Sequence, residues 1–455
     1  MLKVKKLKDN ATVLDLMLNE CYIGEGKEEF IVLNNNVKIK TGEKRKGFIP
    51  VRIKKIVPPN KVEIEVVKEQ FTVVSEPEQK IRLFLKSDII RKLEPQIKKA
   101  VNLIRNAARN GRLIILRHHA DCDGYAGALA LEEILISIIE KKNKKIWQSY
   151  KRMPMKAPFY EYGDALKDLS YFKEEISFGK KPLLIIVDNG CGEEDLLALK
   201  KVKLYDVDIV VIDHHVFAKE INKVVDVHLN PRVAGGEGDI TSGMLSYEIA
   251  AQIGNPNPIY PALSGVADKS RNEFLEPYMR LAHKDREFLE KLAKCVDFEA
   301  YNLRFMESNL IYDFFNEKQK RTMDLILSEV EKRTDERKII IKKFLKHEKL
   351  KKGTLYCLEL DKTVPIREYP SPGKTVGIAH KMNKGPRITL GFSKDMITFR
   401  IDGVPFSIEN ALKALKKKIP YGNINGGGHN YAGTIKFIPG VGEEVLSSLK
   451  KIIKS

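Results

Sequence analysis

The stretch Arg112–Gly124, RLIILRHHADCDG, decides the architecture of this chain. Leu113–Leu116 run without a polar interruption and then give way to charged and imidazole groups. A short run of this kind suits a strand buried on both faces, as in a parallel sheet. Two later stretches repeat the pattern, LLIIVDNG at Leu183–Gly190 and DIVVIDHH at Asp208–His215. Helical periodicity separates them, so the middle of the chain reads as α/β with a parallel sheet. In such sheets ligands bind beyond the carboxyl ends of the strands, and here those ends are polar.

Beyond the first strand, His119, Asp121 and Asp123 fall at alternate positions before Gly124. In an extended segment that spacing points the three side chains one way and His118, Ala120 and Cys122 the other. One imidazole and two carboxylates converging suit a divalent metal. A polar loop that merely contains Asp-x-Asp is the competing reading. Asp188 follows the second strand, with Asn189 and Gly190 as the turn, and taken alone it reads better as a cap for a helix starting near Gly192. Asp213, His214 and His215 close the third strand. Burying a carboxylate with two imidazoles is costly unless they are paired or bound to metal, although a structural Asp–His hydrogen bond would also serve. Asp268, in ALSGVADKS, ends an apolar run of helical character, which an ordinary helix terminus explains equally well. The chain has 9 histidines, and His118, His119, His214 and His215 form adjacent pairs at strand ends. The donors are oxygen-rich with some imidazole and no thiolate, which favours Mn2+ or Mg2+, with Mn2+ slightly ahead.

Outward from this centre the chain changes character. Residues 1–75 read as a small β-rich unit, with strands expected at Glu29–Leu33, Val37–Lys40, Phe48–Ile56 and Lys61–Val67. Alternating basic and apolar residues, as in VRIKKI, suggest a compact barrel of the OB or S1-like kind that binds single strands; any small barrel with a basic face would look the same. A polar linker, SEPEQ at Ser75–Gln79, leads into a Lys- and Arg-rich helix expected from Ser87 to Asn110, stopped by Gly111. Residues 80–330 form the central domain, with 270–330 mostly helical. EKRTDERK at Glu331–Lys338 reads as a second linker, and 338–455 as a smaller α/β domain. No internal repeat is evident.

The 455 residues are enough for two to four domains, and the hydrophobic share of 43% is ordinary for a globular protein. Cys21, Cys122, Cys191, Cys295 and Cys357 form no CxxC pair, which argues against a thiolate zinc site and for a reducing compartment. No apolar run approaches a membrane span, and no secretory h-region follows the basic start MLKVKKLKDN, so a cytoplasmic location is expected. The formal charge of +19 fits a nucleic-acid binder. Abundant Lys, Glu and Ile also fit the solvated surface of a heat-adapted protein.

Together the motifs resemble the DHH phosphoesterase superfamily. The resemblance rests on His119-x-Asp121-x-Asp123-Gly124, on Asp188, on Asp213-His214-His215 and on Asp268. It extends to NGGGHNYAGTIKF at Asn425–Phe437 and to Arg400 in MITFRID, which resemble the associated C-terminal domain of one subfamily. Within the superfamily the chain is most similar to RecJ-type single-strand exonucleases, especially the archaeal form called GINS-associated nuclease. His119 stands where RecJ usually has an aspartate, and the β-rich unit precedes the nuclease core instead of following it.

The resemblance implies a fold of one parallel-sheet catalytic domain and one smaller α/β domain. It implies one metal on His119, Asp121 and Asp188 and a second on Asp123, Asp188, His214 and Asp268. His215 would contact the scissile phosphate, and Asp213 would orient an imidazole. Gly426, Gly427 and Gly428 would form a backbone nest for phosphate, with His429 and Arg400 adding charged contacts. Arg232, in HLNPR, is a further phosphate candidate. PGKT at Pro372–Thr375 is not a P-loop, because position 368 is Glu where the first glycine belongs. The implied partners are single-stranded DNA or RNA, with GINS or other replication proteins beside them. Two other functions stay open: a phosphodiesterase of short oligonucleotides or small phosphoesters, and a GINS-binding scaffold.

Overall fold

The computed structural model describes residues 81–455 apart from 142–145, 156, 158, 178–179, 304–308, 366–367, 430 and 455; before 81 it describes the backbone of strands alone, and of 428 and 429 likewise. The chain divides into two compact units, residues 1–80 with 174–180, and residues 81–173 with 181–455.

The first unit contains β1 (Val4–Lys6), β2 (Thr12–Ile23), β3 (Glu28–Leu33), β4 (Asn36–Ile39), β5 (Glu43–Val57) and β6 (Lys61–Val66). Their order is β1-β2-β4-β3-β6-β5, and β2 also pairs with β5, so β2 to β6 close into a ring. The four expected strands fall on β3 to β6. The long β2 lies outside them, because TVLDLMLNECYI carries Leu, Met, Asn and Glu, which have little intrinsic preference for strands.

In the second unit, α1 (Asp88–Asn110) starts where Ser87 Oγ accepts the Ile90 amide at 3.1 Å and ends at Gly111, which takes the left-handed conformation at φ 61°. Its Ile90, Leu93, Ile97, Val101 and Ile104 are buried, which leaves lysines and arginines on the opposite face. A parallel sheet follows, built from β7 (Ile114–His119), β8 (Tyr150–Met155), β9 (Leu183–Val187), β10 (Asp208–Ile212) and β11 (Val227–Leu229). The order is β11-β10-β9-β7-β8 and every pairing is parallel. From β7 the chain moves outward to β8, then returns to the other side of β7 at β9. The topological switch point therefore lies between β7 and β9. The helices α2 (Cys122–Lys141), α3 (Ile146–Ser149), α4 (Tyr162–Ser177), α5 (Leu196–Lys203) and α6 (Ile221–Val224) connect these strands. After β11, α7 (Ser242–Ala250) and α8 (Ile259–Ala267) pack against α2, followed by α9 (Asn272–Ala282) and α10 (Arg286–Leu303).

The next helix, α11 (Gln319–Phe344), runs straight through Glu331–Lys338, so that stretch is not a linker. Its charges other than Arg337 lie on the solvent side of a helix whose Val330, Arg337 and Ile341 are buried, with Glu329 and Arg333 paired one turn apart at 2.6 Å. Beyond it stand β12 (Lys346–Lys349), β13 (Thr354–Glu359), β14 (Arg387–Phe392), β15 (Met396–Asp402), β16 (Asn425–His429) and β17 (Ala432–Lys436). They form a mixed sheet of order β12-β13-β14-β15-β17-β16, parallel only between β13 and β14. One face is covered by α14 (Ile408–Lys418) and α15 (Gly442–Lys454) through a core including Ile388, Phe399, Leu415 and Leu449. On the other, Val376 and Ala379 of α13 (Pro372–Lys381) pack with Leu358, with Ile341 of α11 and with Leu360 of the short α12 (Leu360–Thr363). The smaller α/β part thus has its own core. Among the described residues no helix is long and apolar enough to cross a membrane.

Candidate metal centre

The polar ends of β7, β9 and β10 meet at the switch point. His119 is the last residue of β7, and its Nδ1 lies 2.7 Å from Asp121 Oδ2 and 3.3 Å from Asp188 Oδ2. The three-residue alternation expected of an extended segment does not exist, because α2 already begins at Cys122. His119 comes from the strand end, Asp121 from the turn and Asp123 from the first helical turn. The helix tightens after Asp121, whose Oδ1 accepts the Gly124 amide at 3.1 Å. The residues still gather, but Asp123 faces a different set of partners from His119.

Asp188 does not cap a helix. Gly192 and Asp195 serve that end, the Gly192 amide donating to Asp195 Oδ2 at 2.7 Å. Asp188 has φ 61°, a left-handed backbone that costs energy outside glycine but that aspartate tolerates better than most residues. Its amide donates to Ile212 of β10 at 2.8 Å, and Ser242 Oγ donates to its Oδ1 at 3.1 Å. The strained turn therefore aims the carboxylate between His119 and His214.

His214 is buried. Its Nδ1 lies 2.7 Å from the Gly238 carbonyl, which can only accept, so Nδ1 carries the proton and donates it. That assigns Nε2 to the cluster, where it stands 3.2 Å from Asp268 Oδ2, 3.4 Å from Asp188 Oδ1 and 3.7 Å from Asp123 Oδ2. Asp268 sits at the C-terminus of α8. Asp123 is held by the N-terminus of α7: Gly243 N donates at 2.8 Å, Ser242 N at 3.1 Å, and Ser264 Oγ also donates. Donor atoms of His119, Asp121 and Asp188 lie within 4.8 Å of one another, and so do those of Asp123, His214 and Asp268. Asp188, His214 and His215 form a third such group.

Asp213 accepts on one oxygen from His214 N at 2.7 Å, His215 N at 3.2 Å and His215 Nδ1 at 2.7 Å. It orients His215, whose side chain is 35% exposed at the edge of the cluster. His118 turns away, buried, with Nδ1 against the His119 carbonyl at 2.7 Å. Burial and the Arg152 charge push it down to about 3, so it is a neutral structural residue.

Crowding shifts the other groups in opposite directions. Burial alone would depress His119 and His214, but Asp121 and Asp188 for the first, and Asp188 and Asp268 for the second, hold each well above its ordinary value. Burial would raise Asp121, yet His119 outweighs it and holds the carboxyl well below its usual range. Burial first, then Asp188 and Asp268, push Asp123 well above the usual carboxylate range. Carboxylates forced together while imidazoles retain protons are what divalent cations replace. The fixed His214 tautomer, with its Nε2 turned to Asp123, Asp188 and Asp268, fits that exchange.

The smaller α/β part supplies the remaining candidates. Gly426–Gly428 and His429 are not a nest. They lie on β16, paired with β17, in extended backbone where consecutive amides cannot converge on one anion. Gly426, at φ 151°, is required there because a Cβ would stand 2.2 Å from the Thr434 carbonyl oxygen. Its amide donates to Glu194 Oε1 of the parallel-sheet part at 3.3 Å. Arg400 donates to the carbonyls of Phe399 at 2.7 Å and Gly373 at 3.1 Å, and its field, with that of Lys381, reaches Lys269 beside Asp268. Arg232 donates from Nε to the His214 carbonyl at 3.0 Å, so it steadies the loop that carries the imidazole.

Several residues here escape sequence reasoning. Ser242, Gly243 and Ser264 grip Asp123 from far along the chain; the only local hint is that Thr241 caps α7. Tyr431 is 48% exposed and within the electrostatic reach of Asp268, His214 and Arg232.

Residues 112–267 match the family model described as the DHH family, N-terminal domain. A solved DHH domain, from a member of the s1p family of ribosomal proteins, is 36% identical, with a TM-score of 0.76 over 82% of this chain and 93% of that one. An uncharacterised protein of Methanocaldococcus jannaschii is 35% identical across 86% of this chain, which spans 58% of that protein's length. RecJ of Thermus thermophilus, solved with Mn2+, shares the fold at 14% identity, with a TM-score of 0.52 over 79% of this chain and 54% of that one.

Proposed function

This chain belongs to the DHH family, and we propose that it is a two-metal phosphodiesterase that removes mononucleotides from an end of single-stranded nucleic acid. The observation that carries this reading is the pair of donor triads, His119–Asp121–Asp188 and Asp123–His214–Asp268, with Asp188 Oδ1 only 3.4 Å from His214 Nε2. Asp188 would therefore belong to both, and these residues would hold two Mn2+ or Mg2+ ions. Such a pair, when bound, lowers the pKa of a shared water and offsets charge on the attacking and leaving oxygens.

The chain's own groups account for the rest. Asp213 accepts from His215 Nδ1 and, against burial, raises that imidazole, so the protonated ring would donate from Nε2 to a phosphate oxygen. Arg400, with Lys269 and Lys381 nearby, would meet the phosphates of the strand, and Arg232 and the Gly426–His429 strand would line the same approach. The charge of +19 favours a polyanion and makes affinity fall steeply with salt. The β-rich N-terminal unit and α1 would guide the strand. A replication protein such as GINS would be a partner of the whole, not a requirement for cleavage.

The test is digestion of 5′- and 3′-labelled DNA and RNA oligomers with Mn2+, comparing wild type with Asp188→Asn, which tolerates the left-handed backbone. Wild type should release mononucleotides from one end and the variant should bind without cutting. Preference for oligomers of a few nucleotides over long ones would move the reading to a short-oligonucleotide phosphodiesterase. Binding with no cleavage by wild type would leave a scaffold.

A further inference from the structure

PGKT at Pro372–Thr375, which is no P-loop, opens α13 in the smaller α/β part. Ser371 caps that helix, accepting the Lys374 amide at 3.4 Å. From α13 the Lys374 side chain forms an ion pair with Asp297 of α10, in the parallel-sheet part. Asp297 uses its other oxygen, Oδ1, to accept the backbone amide of Cys122 at 3.0 Å. Cys122 stands between Asp121 and Asp123 and is the first residue of α2. Its amide is one of those a helix start leaves without an internal partner.

The chain of contacts therefore runs from Lys374 to Asp297, to the Cys122 amide, and so to the turn that carries Asp121. Each link has a physical reason. A carboxylate at a helix start is favoured by the amides it faces. Asp297 is largely buried, and burial would push its carboxyl up; the Lys374 ammonium opposes that. Burial would lower Lys374 in turn, but Asp297, Tyr369 and the more distant Asp121 keep it firmly charged. Removing either partner leaves the other charge unmatched in a partly buried place.

We propose that Lys374 is a positioning residue for the metal ligands: by holding Asp297 against the Cys122 amide it sets the turn that carries Asp121, so the site of His119, Asp121 and Asp188 forms fully only when the C-terminal part is docked. Asp123, His214 and Asp268 do not hang on this link, because the amides of Ser242 and Gly243 and the hydroxyl of Ser264 hold Asp123 independently. The effect is thus asymmetric between the two cations. The inference rests on the two-metal reading but not on the substrate.

The experiment is calorimetric titration of the metal-free full chain with Mn2+, for wild type, Lys374→Met, Lys374→Arg, Asp297→Asn and Lys416→Met. Lys416 pairs with Glu193 at 3.5 Å, also between the two α/β parts, and lies away from this link. Outer partners of metal ligands typically set affinity by about 10–100-fold. Lys374→Met should weaken one of two Mn2+ binding events by about tenfold or more and spare the other. Arginine at 374 should recover most of the loss, Asp297→Asn should weaken the same event, and Lys416→Met should bind as wild type. If Lys374→Met does not fold, Asp297→Asn carries the same readout. Equal weakening of both events, no weakening, or loss in Lys416→Met overturns the proposal. Wild type that binds two Mn2+ with this asymmetry yet cuts no nucleic acid would remove the nuclease reading and leave this one. Wild type that binds no Mn2+ removes both.

Discussion

Asp213 offers a way to separate geometry from charge at the edge of the cluster. One of its oxygens accepts all three hydrogen bonds, from His214 N, His215 N and His215 Nδ1. Asp213→Ala leaves three donors without that acceptor in a largely buried turn. An unsatisfied buried donor costs about 1–3 kcal/mol, so the alanine variant should lose roughly 3–5 kcal/mol once partial hydration of the exposed His215 is allowed for. Asp213→Asn can keep an oxygen in the same place. It loses only the charge assistance, about 1–2 kcal/mol in all.

The pH dependence has a definite sign. The folded protein holds His215 above 6.5 because Asp213 outweighs burial and the His214 charge, so this contribution is complete below 6.5 and disappears as pH rises through the folded value. Burial would raise Asp213, but His215 holds it below 3.8, so its contribution is complete above 3.8 and disappears as pH falls through the folded value. The advantage of wild type over Asp213→Asn should peak between about pH 4 and 6.5 and shrink towards pH 9. Urea unfolding of the metal-free proteins across that range measures it. The same asparagine should lower kcat about 10–100-fold, less than deleting an oxyanion donor outright, because His215 keeps its place but loses its proton more readily. Asparagine as damaging as alanine, or a stability difference flat with pH, would refute this account of Asp213.

Cation binding should release protons, since His119 and His214 hold theirs above the ordinary range and Asp123 is raised as well. Mn2+ affinity should therefore climb as pH rises above 6.5, with proton release visible as buffer-dependent binding enthalpy; an enthalpy independent of buffer contradicts it. Gly243→Ala places a Cβ 2.5 Å from Ser264 Cβ and 3.0 Å from Asp123 Oδ1. It should cost about 1–3 kcal/mol and weaken Mn2+ binding, read by thermal melting with and without Mn2+; unchanged melting in both conditions would show that α7 and α8 can part.

How much of this was legible in the sequence depended on distance along the chain. Of the five parallel strands β7, β9 and β10 were legible, because a strand buried on both faces must be apolar throughout, as Leu183–Val187 is; β8, YKRMPM, and the three-residue β11 were not. The ends of α1 were legible because Ser87 and Gly111 act within one turn. The same local logic misread the turn after β7, where Asp-x-Asp spacing looks alike in a strand and in a strand-to-helix corner. It misread Glu331–Lys338, since a charged run is equally the solvent face of a helix buried at Val330 and Ile341. It misread Gly426–Gly428, whose glycines answer to the close approach of β17, not to a ligand. The grip on Asp123 was beyond reach, because Gly243 and Ser264 lie 120 and 141 residues away and the Thr241 cap of α7 marks a helix start, not a partner for Asp123.

Charge gives the strongest reason to read the cluster as a place for two cations and not one. Asp121, Asp123, Asp188 and Asp268 bring four negative charges into a mostly buried space with two imidazoles, His119 and His214. With both imidazoles protonated, four carboxylates leave −4 + 2 = −2, and relief without metal falls to a proton on Asp123, which burial and its carboxylate neighbours raise. One divalent cation with neutral imidazoles gives the same −2, so it improves nothing in net charge. Two give −4 + 4 = 0, with every carboxylate ionised and both imidazole lone pairs in use. Buried charge is tolerated when it is balanced at short range. The donors of α7 reduce the burden on Asp123 but carry no full charge, and Asp213 is already matched by His215. With every carboxylate ionised and both imidazoles neutral, the arrangement balances when both places are filled, and it leaves the −1 of a phosphodiester to be met from outside the cluster. Arg400 and Lys381 stand close enough to Lys269, next in sequence to Asp268, that their charges add to burial in depressing it.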